Sequence, residues 1–250
     1  MIKLSSTLHK GSGTTVLLLH GFLGSAQQWQ TTVVGLKAKH QLLLVELPGH
    51  GKSSEPDAYQ ISDVASSIHQ LLADLQIDQV HFIGHSMGGY VGCAFAKAYP
   101  QQLLSLHLIN SSAAADTVLR KSQRDRSIQL VSKYPEAFIS MAISNLFTSE
   151  EKEKFQTEIE LMKSQAQQLS NPSIIYALQA MRDRASYVDD LKHAQFPITY
   201  IYGSADEIIL SDLIEIELEL LKTKGVQIHS GHMSIITHPN EITDKMHLIE

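Results

Sequence analysis

The 250-residue chain has a single cysteine, Cys93, which excludes an internal disulfide and any scaffold stapled by disulfides. Cys93 lies among Val91, Ala94 and Phe95 and reads as a buried structural thiol. Long apolar stretches are also lacking. The run Val16 to Leu19 is far shorter than the about 20 residues that cross a bilayer. The start, Met1-Ile2-Lys3-Leu4-Ser5-Ser6, has no charged segment followed by an apolar one. No membrane partner is expected, and a cytoplasmic location is. Basic charge is scarce: the net charge is −6, and Arg120-Lys121 with Arg124 and Arg126 form a short segment holding Asp125. Nothing there makes an electrostatic footprint for nucleic acid. The sequence has thirteen histidines but no H-E-x-x-H, and His81 and His85 straddle a strand and a turn, so no metal is expected. Gly51-Lys52-Ser53 resembles the end of a phosphate loop, yet Glu46 stands where such a loop needs glycine.

Hydrophobic content of 43% with 18% charged residues suits a globular core. Internal repeats and low-complexity linkers are absent from the sequence. Its first half alternates strand and helix patterns. Strands are predicted at Ile2 to Leu8, Thr15 to Leu19, Gln41 to Leu47, Val80 to Ile83 and Leu103 to Ile109. Between them, Val64, Ile68, Leu71, Leu72 and Leu75 recur at helical spacing behind the cap candidates Ser62 and Asp63. Alternation of this kind predicts an α/β fold with a mostly parallel sheet flanked by helices. From Asp116 to Tyr187 the strand pattern stops. Val118 to Lys133, Pro135 to Phe147, Ser149 to Leu169 and Pro172 to Arg184 read as helices, with Ser149 as an N-cap. Strands return at Ile198 to Tyr202 and Val226 to His229. The helical block is therefore expected as a cap inserted between late strands.

Gly84-His85-Ser86-Met87-Gly88 has the form G-x-S-x-G between a predicted strand and a predicted helix. In that context the segment is a nucleophile elbow with Ser86 at its apex and small residues where the chain must pass itself. The turn also sets Ser86 at a helix N-terminus, where amides favour developing negative charge. A serine hydroxyl needs a base to take its proton and an acid to orient that base. Functional groups gather where strands of a parallel sheet end. Past the later strands come Gly203-Ser204-Ala205-Asp206-Glu207 and Ser230-Gly231-His232.

In the order Ser86, Asp206, His232, the chain resembles the α/β-hydrolase superfamily over nearly its whole length, in the manner of a capped serine esterase. His20-Gly21-Phe22 resembles that family's oxyanion loop. Glu46-Leu47-Pro48-Gly49-His50-Gly51-Lys52-Ser53 resembles its D-x-x-G-x-G-x-S segment, with Glu46 in place of the usual aspartate. Gly231-His232, with Pro239 opening the last helix, resembles its base loop. The resemblance implies a core of residues 1–115 and 188–250 and a cap of residues 116–187. It implies Ser86 as nucleophile, His232 as base and Asp206 as its orienting acid, with Glu207 as the competing carboxylate. Backbone N–H groups of Phe22 and Met87 would bind the oxyanion.

Phe138, Met141 and Ile143 of the cap are the candidate substrate contacts. Met162 and Met181 are expected in lid packing, Trp29 in packing, and His50 in bracing a turn. No cofactor is required. The implied activity is cleavage of carboxylic esters with small to medium apolar acyl groups. The same groups serve carbon–carbon bond hydrolases, lactonases, thioesterases and cofactor-free haloperoxidases. A cofactor-free lyase of menaquinone synthesis resembles the His20 to Ser25 segment, but Tyr90 stands where that family commonly has arginine. A non-catalytic receptor for a small ligand is the reading outside enzymology. The oligomeric state has no signature in the sequence.

Overall fold

Val16, Leu17, Leu18 and Leu19 are all fully shielded from solvent. Their strand, β2 (Thr15–Leu19), is apolar along its whole length because it lies in the middle of a sheet covered on both faces. It pairs in parallel with β3 (Gln41–Val45) on one side and β4 (Val80–His85) on the other. Outward from β3 lies β1 (Ser6–His9), the single antiparallel strand. Outward from β4 follow β5 (Leu103–Ile109), β6 (Ile198–Gly203) and β7 (Gly225–Ile228), all parallel. The seven-stranded order is β1-β3-β2-β4-β5-β6-β7. This computed structural model describes residues 2–246, so Met1 and 247–250 of the expected core lie outside the described residues.

Parallel neighbours need crossovers, and helices supply them. The core helices before the insertion are α1 (Gln30–Leu36), α2 (Ile61–Asp74) and α3 (Met87–Ala98). Between β5 and β6 run α4 (Val118–Lys133), α5 (Pro135–Ser144), α6 (Ser149–Lys154), α7 (Gln156–Ala166), α8 (Asn171–Asp183) and α9 (Val188–Leu191). Beyond β6 come α10 (Ser211–Leu221), α11 (Ser234–Thr237) and α12 (Pro239–Lys245). Helix α1 packs on α12 and α2 packs on α3, while α4, α5, α7 and α8 pack among themselves. Among the described residues, no helix is long and apolar enough to cross a membrane.

Four details differ from the sequence-based expectation. Strand β1 starts at Ser6 instead of Ile2, and the Lys3 carbonyl instead accepts from the Ser54 amide. Helix α2 starts at Ile61 behind Gln60, whose amide donates to Asp63 Oδ2 at 2.8 Å, so Asp63 caps from inside the first turn. Thr148, not Ser149, caps α6: its hydroxyl accepts from the Glu151 amide at 3.1 Å, and Glu151 Oε2 accepts from the Thr148 amide at 2.9 Å. The expected single helix from Ser149 to Leu169 breaks at Phe155, which leaves helical dihedrals (φ −114°, ψ 34°) and packs its ring on the core.

The burial of β2 makes a stability prediction. Leu17→Ala should lower the unfolding free energy by about 2–5 kcal/mol through lost transfer energy and a residual cavity. Urea denaturation with an unchanged m-value measures it; a loss under about 1 kcal/mol would contradict a fully packed central strand.

Candidate active site

Strand β4 ends and α3 begins within one residue. Ser86 absorbs that reversal at φ 52° and ψ −117°, a region that L-residues with a side chain avoid. The two flanking glycines make the close approach feasible. A Cβ on Gly84 would sit 2.4 Å from the Gly88 carbonyl oxygen, and one on Gly88 would sit 2.3 Å from the Leu19 carbonyl oxygen. Hydrogen bonds pin the apex. The Ser86 amide donates to the Ile109 carbonyl at 3.0 Å, and the Ser86 carbonyl accepts from Ser111 Oγ at 2.7 Å and the Gly89 amide at 2.9 Å.

His232 and Asp206 meet this serine from loops 146 and 120 residues further along the chain. His232 Nε2 lies 2.9 Å from Ser86 Oγ, and His232 Nδ1 lies 2.8 Å from Asp206 Oδ2. Asp206 Oδ1 accepts from the amides of Ile208 (2.8 Å) and Ile209 (2.9 Å). Burial pushes the Asp206 carboxyl up. The charge and hydrogen bond of His232, the Ile209 amide and the Asn110 side chain outweigh it and hold the carboxyl below its ordinary range. Asp206 therefore stays ionised where it can stabilise a positive imidazole. Glu207, the competing carboxylate, points to solvent.

Two supports have no counterpart in the sequence reading. Asn110, the residue just past β5, donates from Nδ2 to Asp206 Oδ2 at 2.9 Å and to the Gly231 carbonyl at 3.2 Å. Its own backbone has φ 45°, a left-handed conformation that asparagine tolerates better than most residues. An asparagine ending a strand at the sheet edge of Ser86 was the available signal. The second support comes from the helical insertion. Glu151 Oε1 accepts from the Gly231 amide at 3.0 Å, and the Leu146 carbonyl accepts from the His232 amide at 2.9 Å. The loop that carries the imidazole is thus tied to the segment joining α5 and α6.

The loop after β2 carries Phe22 beside Ser86. Met87 opens α3, so its N–H has no intrahelical acceptor. The Phe22 N–H donates to no protein group among the described residues. Behind this loop, His20 Nδ1 donates to the Gly21 carbonyl at 2.8 Å, and Glu46 Oε2 lies 2.8 Å from His20 Nε2. Burial raises the Glu46 carboxyl, but the adjacent His20 imidazole and the Ala26 amide bring it below its ordinary range. Glu46 therefore occupies the aspartate position as an anion that joins His20 to the start of the next turn at Ala26. His50 bonds the Pro48 carbonyl through Nδ1 at 2.9 Å, and burial lowers its imidazole to about 4. His85 donates from Nε2 to the His232 carbonyl at 2.9 Å; burial, with His232 beside it, lowers its imidazole to about 3. Both are neutral braces at physiological pH.

A cavity opens over Ser86, lined by His232, Phe22, Phe138, Met141 and Met181 among others. Ile143 does not join them. On α5 the cavity residues Phe138, Met141, Ala142 and Asn145 share one face at helical spacing, and Ile143 faces the other way into full burial. Met162 is buried away from the cavity, and Trp29 is fully buried packing. Among the described residues, no three His, Cys, Asp or Glu side chains form a group that could hold a metal ion.

A family model for the alpha/beta hydrolase fold matches residues 14–239 of this chain. RutD of Azorhizobium caulinodans, whose assignment as a carbamate hydrolase is provisional, is 32% identical over 130 residues, 52% of this chain and 49% of RutD. The chain thus aligns with about half the length of that relative. A thermophilic esterase of Thermogutta terrifontis, solved with malate bound, is 25% identical with a TM-score of 0.90, covering 97% of this chain and 91% of that one. The enol-lactonase of Burkholderia xenovorans shares the fold at 18% identity and a TM-score of 0.89, covering 97% of this chain and 94% of that one. With the sheet order, the serine turn and this match across most of its length in agreement, the chain belongs to the alpha/beta hydrolase fold family.

Proposed function

We propose that this protein is a serine hydrolase that cleaves carboxylic esters through an acyl-enzyme. The single observation that carries the reading is the relay Ser86 Oγ–His232 Nε2 at 2.9 Å and His232 Nδ1–Asp206 Oδ2 at 2.8 Å. In this reading His232 takes the Ser86 proton as Oγ forms a bond to the ester carbonyl carbon. The carbonyl π electrons move to oxygen, and the Phe22 and Met87 amides receive that oxyanion. On collapse the C–O bond to the alcohol breaks, and His232 hands its proton to the departing alkoxide. Water then repeats the sequence on the acyl-enzyme, with His232 as its base, and releases the acid. Asp206 holds the tautomer and stays ionised throughout. No step calls for a cofactor.

Cavity residues Phe22, Leu23, Phe138, Met141, Leu178 and Met181 support an apolar portion on the ester. Since α5 and α8 contribute several of them, the insertion acts in this reading as a cap that sets the accepted length. The likeness to an esterase at 25% identity supports acyl-ester chemistry. Tyr90, buried against Arg184, stands where the lyase family commonly has arginine, which weighs against that reading.

Ser86→Ala should lower kcat for p-nitrophenyl butyrate by about 10⁴- to 10⁶-fold with an unchanged circular dichroism spectrum. Turnover within tenfold of the wild type would remove Ser86 as nucleophile. The two neighbouring carboxylates should separate cleanly. Asp206→Asn should cost about 10³- to 10⁴-fold in kcat, since it forces the wrong imidazole tautomer, and Glu207→Gln less than about threefold, as expected of an exposed side chain. Equal losses in steady-state assays would reassign the acid.

A further inference from the structure

Helix α4 forms one wall of the cavity with Arg120, Gln123, Arg124 and Ser127. Their spacing of three, four and seven residues puts them on one helical face. A cap helix over an apolar pocket should turn apolar residues inward. Here the arrangement is reversed: Val118, Leu119 and Leu130 are exposed, and the face toward Ser86 carries two guanidiniums.

On the Ser86 side of that wall, the two guanidiniums meet no carboxylate. Among the described residues lining the cavity there is no aspartate or glutamate, although the whole chain has a net charge of −6. Behind the wall, Asp116, Glu207 and Glu217 line a second cavity together with Arg120 and Arg184, and two arginines share Asp116. Asp116 Oδ1 accepts from Arg184 Nη1, and Asp116 Oδ2 accepts from Arg124 Nε at 3.1 Å. Arg184 also donates from Nη1 to the Met181 carbonyl and from Nε to the Ala114 carbonyl, and it stacks 3.8 Å over the Tyr90 ring. Among the described residues, Arg124 gives only its Nε to a protein acceptor, and the residue lines the cavity. Arg120 donates to neutral acceptors alone, Gln123 Oε1 and the Ile208 carbonyl, both at 3.2 Å. Burial first, then the adjacent Arg124 and Arg184 charges, lower its pKa against the opposing influence of Tyr90 and Asp116. Largely buried cations of this kind are costly without an anion, and a guanidinium fork matches a carboxylate.

We propose that the ester cleaved at Ser86 carries a free carboxylate, held by Arg124 and Arg120 of α4, while its apolar chain lies along Phe138 of α5 and Met181 of α8. This rests on the serine hydrolase reading above and narrows its substrate class from apolar esters to amphipathic, monoanionic ones.

The test compares matched esters. One series is the mono-p-nitrophenyl esters of dicarboxylic acids with four to eight carbons, against the same compounds with the free acid methylated. A second puts the carboxylate on the alcohol side, as acetate esters of ω-hydroxy acids against their methyl esters. In at least one series the acid should exceed its methyl ester in kcat/KM by about tenfold or more, with the gap narrowing as salt rises. Arg124→Gln and Arg120→Gln should each reduce that ratio at least fivefold, chiefly through KM, and Arg124→Lys should restore part of it. Simple disruption of the cap would lower both members of each pair and leave the ratio intact. A ratio of one or less at every length in both series, or a ratio unmoved by either glutamine variant, overturns the proposal while leaving the esterase reading standing. If the wild type cleaves no ester, that reading fails instead, and calorimetry with glutarate and adipate decides the anion site alone. Binding lost in Arg124→Gln upholds it, and no binding to the wild type overturns it.

Discussion

Everything at the site depends on one residue held against its preference. Ser86 occupies a positive-φ conformation because the chain turns there from a buried strand into a helix with nothing between. The strain persists because its surroundings leave no alternative. The backbones of Gly84, Gly88 and Leu19 are in van der Waals contact, and the Ile109 carbonyl and Ser111 hydroxyl fix the apex on both sides. Any added methyl at the two glycines strikes backbone, which cannot rotate away. The sheet supplies the rigidity, since β4 is paired with β2 and β5 along its length. The same turn also brings the Met87 amide to the site as a free donor, so strain and preorganised dipole have one structural origin.

A second constraint links the sheet to the helical insertion. Asp206 is bound by Asn110 and by two amides of its own loop, and Asn110 also reaches the Gly231 carbonyl. Gly231 and His232 are tied on the other side to Glu151 and Leu146 of the insertion. The imidazole therefore sits between the end of β5 and the helical insertion, and its orientation depends on both. Displacing the segment between α5 and α6 would disturb the histidine loop directly, which couples the covering helices to the proton-transfer geometry.

Polarity divides the cavity between two helices of the insertion. Helix α5 presents Phe138, Met141 and Ala142, whereas α4 presents Arg120, Gln123, Arg124 and Ser127. A ligand satisfies both walls only with an apolar body and an anionic end. Asp116 neutralises part of the cationic wall and anchors Arg184 to the core side, so the arginines have a structural duty as well. That duty accounts for one carboxylate shared by two cations and leaves the remaining charge facing the cavity.

The sequence by itself determined the sheet, the serine turn and the loops that carry Ser86, Asp206 and His232. Continuous apolar runs such as Thr15–Leu19 suit a doubly covered strand, and G-x-S-x-G between a strand and a helix pattern matches the tight turn found at Ser86. The bounds of helix α4 were legible in the sequence, yet its facing was not. An almost uniformly polar helix has no apolar stripe to show which side turns inward, and only its packing on α5 and α8 decided that Arg120 and Arg124 meet the cavity. For Ile143 the opposite error arose: it is apolar and close in sequence to Phe138 and Met141, but a shift of two positions from Met141 carries it to the far face of α5. Asn110 and Glu151 were likewise out of reach, because their bonds to Asp206 and Gly231 join segments 96 and 80 residues apart. Local pattern fixes local geometry; partners brought together by the closing of the sheet and the docking of the insertion exist only once the tertiary structure has formed.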